Sequence, residues 1–297
     1  MAPNCTSSRH GGLPRKSRYT ADARLVAYCS AGRRRSMTEW NAPEYARIAA
    51  LQEAMAAEVL ALLKLKGTER VLDLGCGNGK ITAQIAARLP NGSVLGVDAS
   101  CEMIHFASAR FPAVAPSNLS FQVCDIRALP FREEFDVVVS FNALHWIPKQ
   151  DDALRTIRSS MKSDGLAQLR LVPDSKRKSL ETVIEETRKS ERWAAYFLDF
   201  RDPYLHLTPE EYGAVAERND LRVQEIHVSD KAWDFTSHEG FAAFGSVTFV
   251  EWSKRVPESE RHAFVEDVLQ RYRREVCPQP EEQNVFRFYQ MDIRLTR

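Results

Sequence analysis

The chain lacks the features that mark membrane-spanning, zinc-binding and disulfide-stapled proteins. No stretch approaches the roughly 18 uncharged apolar residues that a transmembrane helix needs, so we predict no membrane association. The six cysteines lie far apart, and none forms a Cys-x-x-Cys pair or a cluster with histidine. We therefore expect no structural zinc, no other metal site and no disulfide framework, and we predict a reducing, cytoplasmic compartment.

A strong net charge is also missing, although the charges are unevenly distributed. The chain carries 41 Lys and Arg residues against 40 Asp and Glu residues. Residues 1–36 hold eight of the basic residues and one acid, Asp22, which leaves a net charge of −6 on the rest. A body of that charge has no electrostatic footprint for DNA or RNA. We therefore predict no nucleic-acid partner.

The basic segment 1–36 is rich in Arg and Ser and poor in apolar residues. This composition is typical of disorder, because it cannot support a packed element. Three interpretations stay open: a targeting segment, an arm that binds nucleic acid, or an extension upstream of a start at Met37.

Short apolar strands alternate with helices through the first half of the chain. Apolar residues at helical spacing over 43–64 predict one or two amphipathic helices, which we group as N-terminal cap helices at 37–68. Strands are predicted at 71–74, 93–98, 119–125, 135–141 and 166–172, with helices at 80–89 and 101–111. Such an alternation predicts an α/β fold with a parallel sheet that helices cover on both faces.

Beyond Pro173 this alternation gives way to helices and aromatic residues. The predicted elements are a long helix at Ser179–Leu198, a shorter one from Thr208, a strand at Leu221–Val228, a helix from Pro257 to Val276 and a final strand at Val285–Thr296. Residues 69–297 are therefore predicted to form one domain with helical cap insertions at about 174–220 and 230–284.

A glycine loop joins the first strand to its helix. Asp73 precedes three glycines, Gly75, Gly77 and Gly79. Glycines permit a tight turn and the close approach of a ligand to the backbone, and the helix start behind them offers unpaired N–H groups to an anion. The G-x-G-x-G spacing differs from the G-x-G-x-x-G of dinucleotide sites. The loop indicates a nucleoside cofactor, but alone it is a weak signal.

Two further acids close the second and third predicted strands. Asp98 stands where a carboxylate can accept hydrogen bonds from both hydroxyls of a ribose. Asp125 stands where it can accept one from an exocyclic adenine amine. Either acid alone is equally well explained as a cap of the helix that follows.

Taken together and in this order, the loop and the two acids resemble the class I S-adenosylmethionine-dependent methyltransferases, over about Arg70–Val172. The resemblance implies a Rossmann-like, seven-stranded, mostly parallel sheet whose last strand inserts antiparallel. It also implies S-adenosylmethionine as the cofactor. The residues that it assigns to cofactor binding are Asp73, Gly75, Gly77, Gly79, Asp98, Ala99, Asp125, Ile126 and Phe141.

The segment after the fourth strand, Ser140–Ile147, lies beside the transferred methyl group in this class. Here it lacks the Pro-Pro-aromatic pattern with which base-amine methyltransferases hold an exocyclic nitrogen. The segment, together with the helix at Glu44–Gln52 and the C-terminal organisation, is similar to juvenile hormone acid methyltransferases and, more loosely, to trans-aconitate methyltransferases. Its Leu-His-Trp triplet also resembles plant carboxyl methyltransferases. These resemblances imply that Gln52 and Trp146 hold a substrate carboxylate, and they are the two predicted catalytic residues.

The chemistry agrees with a carboxylic acid as the small-molecule partner. Amide and indole N–H groups are neutral donors to an anion, and a carboxylate is already ionised at neutral pH, so its methylation needs no general base. Catalysis then reduces to holding the oxygen in line with the methyl group away from water. His145 is expected to pack or orient a neighbour.

The aromatic content of the cap favours an apolar or aromatic monocarboxylic acid as the substrate. Only two cations, Arg170 and Arg201, are candidates to reach into the substrate pocket. The aromatic residues expected around the substrate are Trp193, Tyr196, Phe197, Trp233, Phe241, Phe244 and Phe249. The competing interpretation makes them ordinary core.

Two other functions stay open. One is O-, N- or C-methylation of another natural product, and the other is a non-catalytic module that binds S-adenosylmethionine. The oligomeric state is not predicted.

Overall fold

The computed structural model describes residues 49–112 and 118–297. Its centre is a sheet of seven strands in the order β3-β2-β1-β4-β5-β7-β6. The strands are β1 Arg70–Leu74, β2 Ser93–Asp98, β3 Leu119–Val123, β4 Phe135–Phe141, β5 Met161–Leu171, β6 Arg222–Asp234 and β7 Val285–Thr296. Strands β1 to β5 pair parallel, whereas β7 pairs antiparallel with both β5 and β6. The predicted mostly parallel, Rossmann-like sheet with an antiparallel last strand is confirmed.

The central strands are apolar on both faces. In β1, Leu72 and Leu74 point into one hydrophobic cluster, while Val71 points into another. In β4, Val138 joins the first cluster and Val139 the second. Successive side chains of a strand point to opposite faces, so both faces must be covered by helices.

Nine α-helices surround the sheet within the described residues. They are α1 Ala49–Leu62, α2 Lys80–Ala86, α3 Cys101–Arg110, α4 Gln150–Ser160, α5 Leu180–Arg188, α6 Pro209–Arg218, α7 His238–Thr248, α8 Val250–Ser253 and α9 Arg261–Val276. Helices α1 and α2 cover one face through Leu60 and Ile85. Helices α4 and α6 cover the other through Leu154, Ile157 and Tyr212.

Helix α4 was missed in the sequence. Ala153, Leu154 and Ile157 are buried on one face, whereas polar and charged residues occupy most of the other positions. An apolar stripe of this kind is the pattern of a surface helix. Gln150 at its start donates from Nε2 to the carbonyl oxygens of Leu144 and Ile147, at 2.6 and 2.7 Å. The helix therefore fixes the segment that follows β4.

Two strands are longer than the sequence predicted. β5 begins at Met161, five residues before the expected start, because the buried Met161 pairs with Phe135 across a register shift. β6 continues beyond Val228 to Asp234, because its pairing with β7 runs on to the Asp234–Val285 pair. Polar residues are tolerated there, since β6 is an edge strand with an exposed side.

The helix predicted at Ser179–Leu198 is interrupted. Its regular part, α5, ends at Arg188, and a short 3-10 helix follows at Ala194–Phe197. Between them the chain turns and buries Trp193, whose indole N–H donates to Asp267 of α9 at 2.9 Å. Tertiary packing of the tryptophan outweighs the helical propensity of the segment.

The cap consists of α5, α7, α8 and α9, which share one hydrophobic cluster with the first half of β7. Helix α6 is not part of it, although the sequence placed residues 174–220 in a cap insertion. Tyr212 and Val215 of α6 pack into the cluster beneath the sheet instead. The second insertion starts after Asp234, since residues 230–234 belong to β6.

Several predictions fall on residues that the structure does not describe. They are the prediction of disorder for 1–36 and the part of the predicted N-terminal cap helices that falls on 37–48. Within the described ranges, none of the helices combines the length and the apolar character needed to cross a membrane. The same ranges hold no group of three or more His, Cys, Asp or Glu side chains arranged for a metal ion.

Candidate active site

The glycine loop between β1 and α2 leaves open space at its middle residue. Gly75, Gly77 and Gly79 all have positive φ angles, of 71°, 53° and 76°. A Cβ on Gly75 would lie 2.2 Å from the Cβ of Ala143, and one on Gly79 would lie 2.7 Å from Phe121, whereas one on Gly77 would meet nothing within 4 Å. Gly75 and Gly79 are therefore required by protein packing, and Gly77 borders space in which a ligand fits.

Asp98 holds this loop at the end of β2. Its Oδ2 accepts from the backbone N–H of Gly77, and its Oδ1 from that of Ser100, both at 2.9 Å. Ser100 in turn caps α3 by accepting from the N–H of Met103 at 3.2 Å. One carboxylate thus ties the glycine loop to the next strand end.

A cavity of about 510 Å³ opens at these strand ends, and we call it the strand-end cavity. Asp98 and Ala99 line it from β2, and Asp125 and Ile126 line it after β3. These four predicted cofactor residues come together because parallel strands end at one edge of the sheet.

Arg127 was missed in the sequence and changes how Asp125 behaves. Its guanidinium donates to both oxygens of Asp125, with Nη2 2.6 Å from Oδ2. Burial alone would raise the pKa of the Asp125 carboxyl, but the hydrogen bonds from Arg127 outweigh it and hold that pKa below its usual value. The backbone N–H of Arg127 also donates to Asp125, at 2.9 Å, so three N–H groups are bound; an ionised carboxylate has about four acceptor positions, which leaves room for one further donor.

Asp73 and Gly79 line neither of the two cavities at this edge. The Asp73 carboxylate lies beneath the loop, 2% exposed, and accepts from the hydroxyl of Thr82 at 2.7 Å. Burial raises its pKa to about 7, the Thr82 hydrogen bond opposes that shift and the charge of Asp98 adds to it. Asp73 therefore supports the glycine loop from beneath, through its hydrogen bond to Thr82 of α2.

A second cavity, of about 230 Å³, lies between the glycine loop and the cap, and we call it the cap cavity. Gln52 of α1, Phe141 and Trp146 all line it, together with Gly75 and Gly77. The structure thus brings both predicted catalytic residues to one cavity that also borders the glycine loop. Trp146 and Gly75 line the strand-end cavity as well, so they stand where the two cavities meet.

Trp146 ends a short 3-10 helix, Leu144–Trp146, and stacks within an aromatic group. Its ring centroid is 4.2 Å from that of Tyr204 and 6.4 Å from that of Trp252. Aromatic pairs at these separations stabilise each other beyond the burial of their area. The indole is therefore held in place from the cap side.

His145 is buried behind Trp146 and stays neutral. Burial, and secondly the charge of His206, lower its pKa to about 3. Its Nδ1 accepts from the backbone N–H of Val172 at 3.3 Å, and its ring stacks on Tyr204 with centroids 5.0 Å apart. This agrees with the expected orienting role, since the ring positions both the end of β5 and Tyr204.

The aromatic residues expected around the substrate are mostly core. Of the seven, Phe244 lines the cap cavity, while Trp193, Phe197, Phe241 and Phe249 are buried in the cap cluster. Besides Phe141 and Trp146, four other aromatic side chains of the cavity wall were not among the seven; they are Tyr204, Phe286, Phe288 and Tyr289. No local signal separates the two groups, because a core aromatic and a cavity aromatic have the same hydropathy.

Arg170 does not reach into the cavity as a free cation. Its guanidinium is 3% exposed and donates to both oxygens of Asp292, at 2.6 and 2.8 Å. Its Nη1 also pairs with Glu58 of α1 at 3.0 Å. These ion pairs hold α1 against β5 and β7 and so fix the helix that carries Gln52. Arg201, the other candidate, lines the strand-end cavity.

The geometry describes an α/β domain with a glycine loop, acids at two neighbouring strand ends and a mainly apolar cavity beside the loop. A sequence profile of the methyltransferase domain family matches residues 65–219. The chain belongs to this family, and it is a class I S-adenosylmethionine-dependent methyltransferase.

Individual relatives agree with the family. Protein 235L of Invertebrate iridescent virus 6, named as a methyltransferase, is 26% identical over 233 residues, 78% of this chain and 85% of that protein. A trans-aconitate 2-methyltransferase of Methylobacterium radiotolerans is 30% identical over 159 residues, 54% of this chain and 59% of that enzyme. Among solved structures, the YcgJ protein of Bacillus subtilis superposes with a TM-score of 0.59 and 18% identity, covering 82% of this chain and 99% of that one. This last likeness concerns the fold.

Proposed function

We propose that the protein methylates the carboxylate of a small acid and releases the methyl ester. The bound cofactor supplies a methyl group on a positively charged sulfur. The observation that carries the proposal is that an amide, Gln52, and an indole, Trp146, line one aromatic cavity beside the glycine loop. Both groups donate hydrogen bonds without adding charge, so they orient a carboxylate oxygen while leaving it nucleophilic.

The cofactor residues divide between the two cavities. Asp98 and Asp125, with Ala99 and Ile126, line the strand-end cavity and suit the ribose and the adenine. Gly75, Gly77 and Phe141 line the cap cavity and suit the part of the cofactor that carries the methyl group. The open space beside Gly77 supports this assignment.

The position of Gln52 near the glycine loop has independent support. Glu53, its neighbour on α1, forms an ion pair with Lys80 at the start of α2. Arg170 holds the same helix farther along, at Glu58. Two ion pairs therefore fix the helix in register with the loop, and positioning of this kind supplies much of the rate when the acceptor needs no activation.

A monocarboxylic acid suits this cavity better than a tricarboxylic acid. Among the described residues that line it, the Lys and Arg side chains each pair with a carboxylate of the protein. The pairs are Lys80 with Glu53, Arg177 with Asp230, Lys178 with Glu186 and Glu275, and Arg287 with Glu282. A second or third substrate carboxylate would have to break one of these pairs. We therefore infer the same kind of reaction as the name of the trans-aconitate relative gives, carboxyl methylation, but with an apolar or aromatic monocarboxylic acid as the substrate.

The test is a screen with S-adenosylmethionine that carries a labelled methyl group. Carboxylic acids, phenols and amines of matched size are incubated separately with the full chain, and the product is treated with mild base. We expect label in acids that is released as methanol, because esters hydrolyse in base. Stable label in phenols or amines and none in acids would replace this proposal with methylation of another natural product. Cofactor binding without transfer to any class would indicate a non-catalytic module.

A further inference from the structure

The outer part of the cap cavity holds a buried carboxylate that the protein does not pair. Glu181, in the first turn of α5, is 8% exposed and lines the cavity. Within residues 49–112 and 118–297, its carboxylate has no hydrogen-bond or ion-pair partner. Other buried acids of the cap are paired; Glu185 on the same helix accepts from Trp252 and from Arg188.

The Glu181 side chain is buried in the wall of the cavity, and its carboxylate lines the cavity without a protein donor among the described residues. The basic side chains of the cavity do not supply the partner, since each is committed to another acid. Glu181 therefore presents an unused, negatively charged acceptor to whatever fills the cavity. An acceptor of that kind is matched by a ligand that donates hydrogen bonds.

The position of Glu181 separates it from the transferred methyl group. Phe141 lies at the inner end of the cap cavity and is the register partner of Arg170 on β5. Arg170 is in turn the register partner of Asp292 on β7. Glu181 lies in the first turn of α5, which shares the cap cluster with Tyr272 of α9, and the Tyr272 hydroxyl contacts the backbone of Arg287 at 2.9 Å. Arg287 precedes Asp292 by five residues, which is about 17 Å along an antiparallel strand.

The wall between these two levels is mainly apolar. Phe288 and Gln290 of β7 lie between them, Phe244 of α7 and Met55 of α1 line the same cavity, and the Oε1 of Gln290 is buried without a hydrogen-bond partner among the described residues. A molecule that spans the cavity therefore meets neutral donors at Gln52 and Trp146, then apolar side chains and the Gln290 amide, and then the Glu181 carboxylate.

We propose that the acceptor is an apolar carboxylic acid with a hydroxyl or protonated amine at its far end, and that Glu181 receives this donor group. The inference rests on the carboxyl methylation proposed above and names the substrate class for it. Glu181 acts as a specificity residue, since it touches the substrate far from the reacting oxygen. It does not act as a base.

The test uses straight-chain acids of increasing length, each ending in a methyl, a hydroxyl or an amino group. Wild type should show the highest kcat/KM for a hydroxyl- or amino-terminated acid at one optimal length. Glu181→Leu should reduce kcat/KM for both substituted acids by roughly tenfold to a hundredfold, the range of a hydrogen bond to a charged group. It should leave the methyl-terminated acid unchanged or improved.

Glu181→Gln tells the two donor groups apart. Gln keeps an acceptor for a hydroxyl and loses the charge that attracts an ammonium. If wild type prefers the amino-terminated acids, Glu181→Gln should abolish that preference; if wild type prefers the hydroxyl-terminated acids, Glu181→Gln should largely keep it. Glu210→Gln, an exposed glutamate in the first turn of α6, is the control and should change none of these values.

The melting temperatures of the variants and the identity of the methylated product give further tests of the role of Glu181. Both Glu181 variants should keep a melting temperature close to that of wild type, so that changes in kcat/KM report on the substrate and not on folding. An unchanged preference among the three end groups in the folded variants would overturn the role of Glu181 while leaving carboxyl methylation intact. Methyl ether at the hydroxyl end would also overturn it, since Glu181 would then act as a base. Failure of wild type to methylate any acid would instead overturn the proposed function.

Discussion

The two cavities at the carboxyl edge of the sheet are built in opposite ways. The strand-end cavity takes its polar groups from short segments that directly follow β2 and β3, and Asp98 is held by backbone N–H groups of the adjacent loops. The cap cavity is assembled from α1, the segment after β4, α5, α7 and β7, and its wall is mainly aromatic.

This contrast separates the part of the molecule that depends on the sheet alone from the part that selects the methyl acceptor. The strand-end cavity is fixed by the sheet itself, so any chain with this sheet and loop can form the same cavity. The cap cavity depends on helices that pack among themselves in a separate hydrophobic cluster. Changes there alter the acceptor without disturbing the sheet. Variants should therefore separate into those that weaken cofactor binding and those that slow transfer.

The largest separation should come from Trp146→Phe, which keeps an aromatic ring and removes the indole N–H. If that donor steadies the carboxylate during transfer, turnover should fall by roughly tenfold to a thousandfold, or about 1.4–4 kcal/mol. Cofactor affinity, measured by calorimetric titration, should change little. Trp233→Phe, at a tryptophan of β6 that lines neither cavity, is the matched control and should keep full turnover. Equal loss in both variants would point to a general weakening of the cap.

The opposite pattern is expected for Asp98→Ala and Gly77→Val. The first removes the acceptor proposed for the ribose, and the second fills the space beside the loop. Each should weaken S-adenosylmethionine binding by roughly 2 kcal/mol or more, measured by calorimetric titration. Asp164→Ala, at an exposed position of β5, should bind as wild type does. Unchanged affinity in both site variants would remove the assignment of this cavity to the nucleoside.

A smaller effect should appear in the pH dependence of stability through Asp73. Its pKa in the folded state is raised to about 7 from an ordinary value of 3.8, mainly by burial. A group with a raised folded-state pKa contributes stability below its unfolded pKa and loses it as the pH rises through the folded one. Wild type should therefore lose up to about 1.4 kcal/mol per pH unit in this window relative to Asp73→Asn. Urea unfolding of the cofactor-free proteins at pH 5 and pH 8 measures this difference, and parallel pH profiles would contradict it.

The smallest effect is expected from shortening the chain to begin at Met37. Residues 1–36 are basic and poor in apolar side chains, so their loss should remove little buried area. Melting temperature and turnover should both stay at their wild-type values. A large drop in either would place these residues among the elements that either cavity requires.

The sequence predicts the strand-end cavity better than the cap cavity for a physical reason. The glycine loop, Asp98 and Asp125 each follow an apolar strand, so local pattern and fold class are enough to bring them together. Glu181 comes from a cap helix that no local pattern places over the sheet, and Tyr204 from an irregular segment. The ion pairs of Arg170 with Glu58 and Asp292 join residues more than 100 positions apart in the chain. No local sequence pattern therefore reveals the role of this arginine.

The central claim is that the methyl group goes to a carboxylate, and one comparison tests it most directly. The best acid from the screen and its primary amide are offered separately to wild type, Gln52→Ala and Trp146→Phe, with the methylated product identified by mass. We predict a methyl ester from the acid, essentially no product from the amide, and reduced ester formation in both variants. Equal use of the amide by wild type, or full activity on the acid in both variants, would contradict a clamp formed by Gln52 and Trp146.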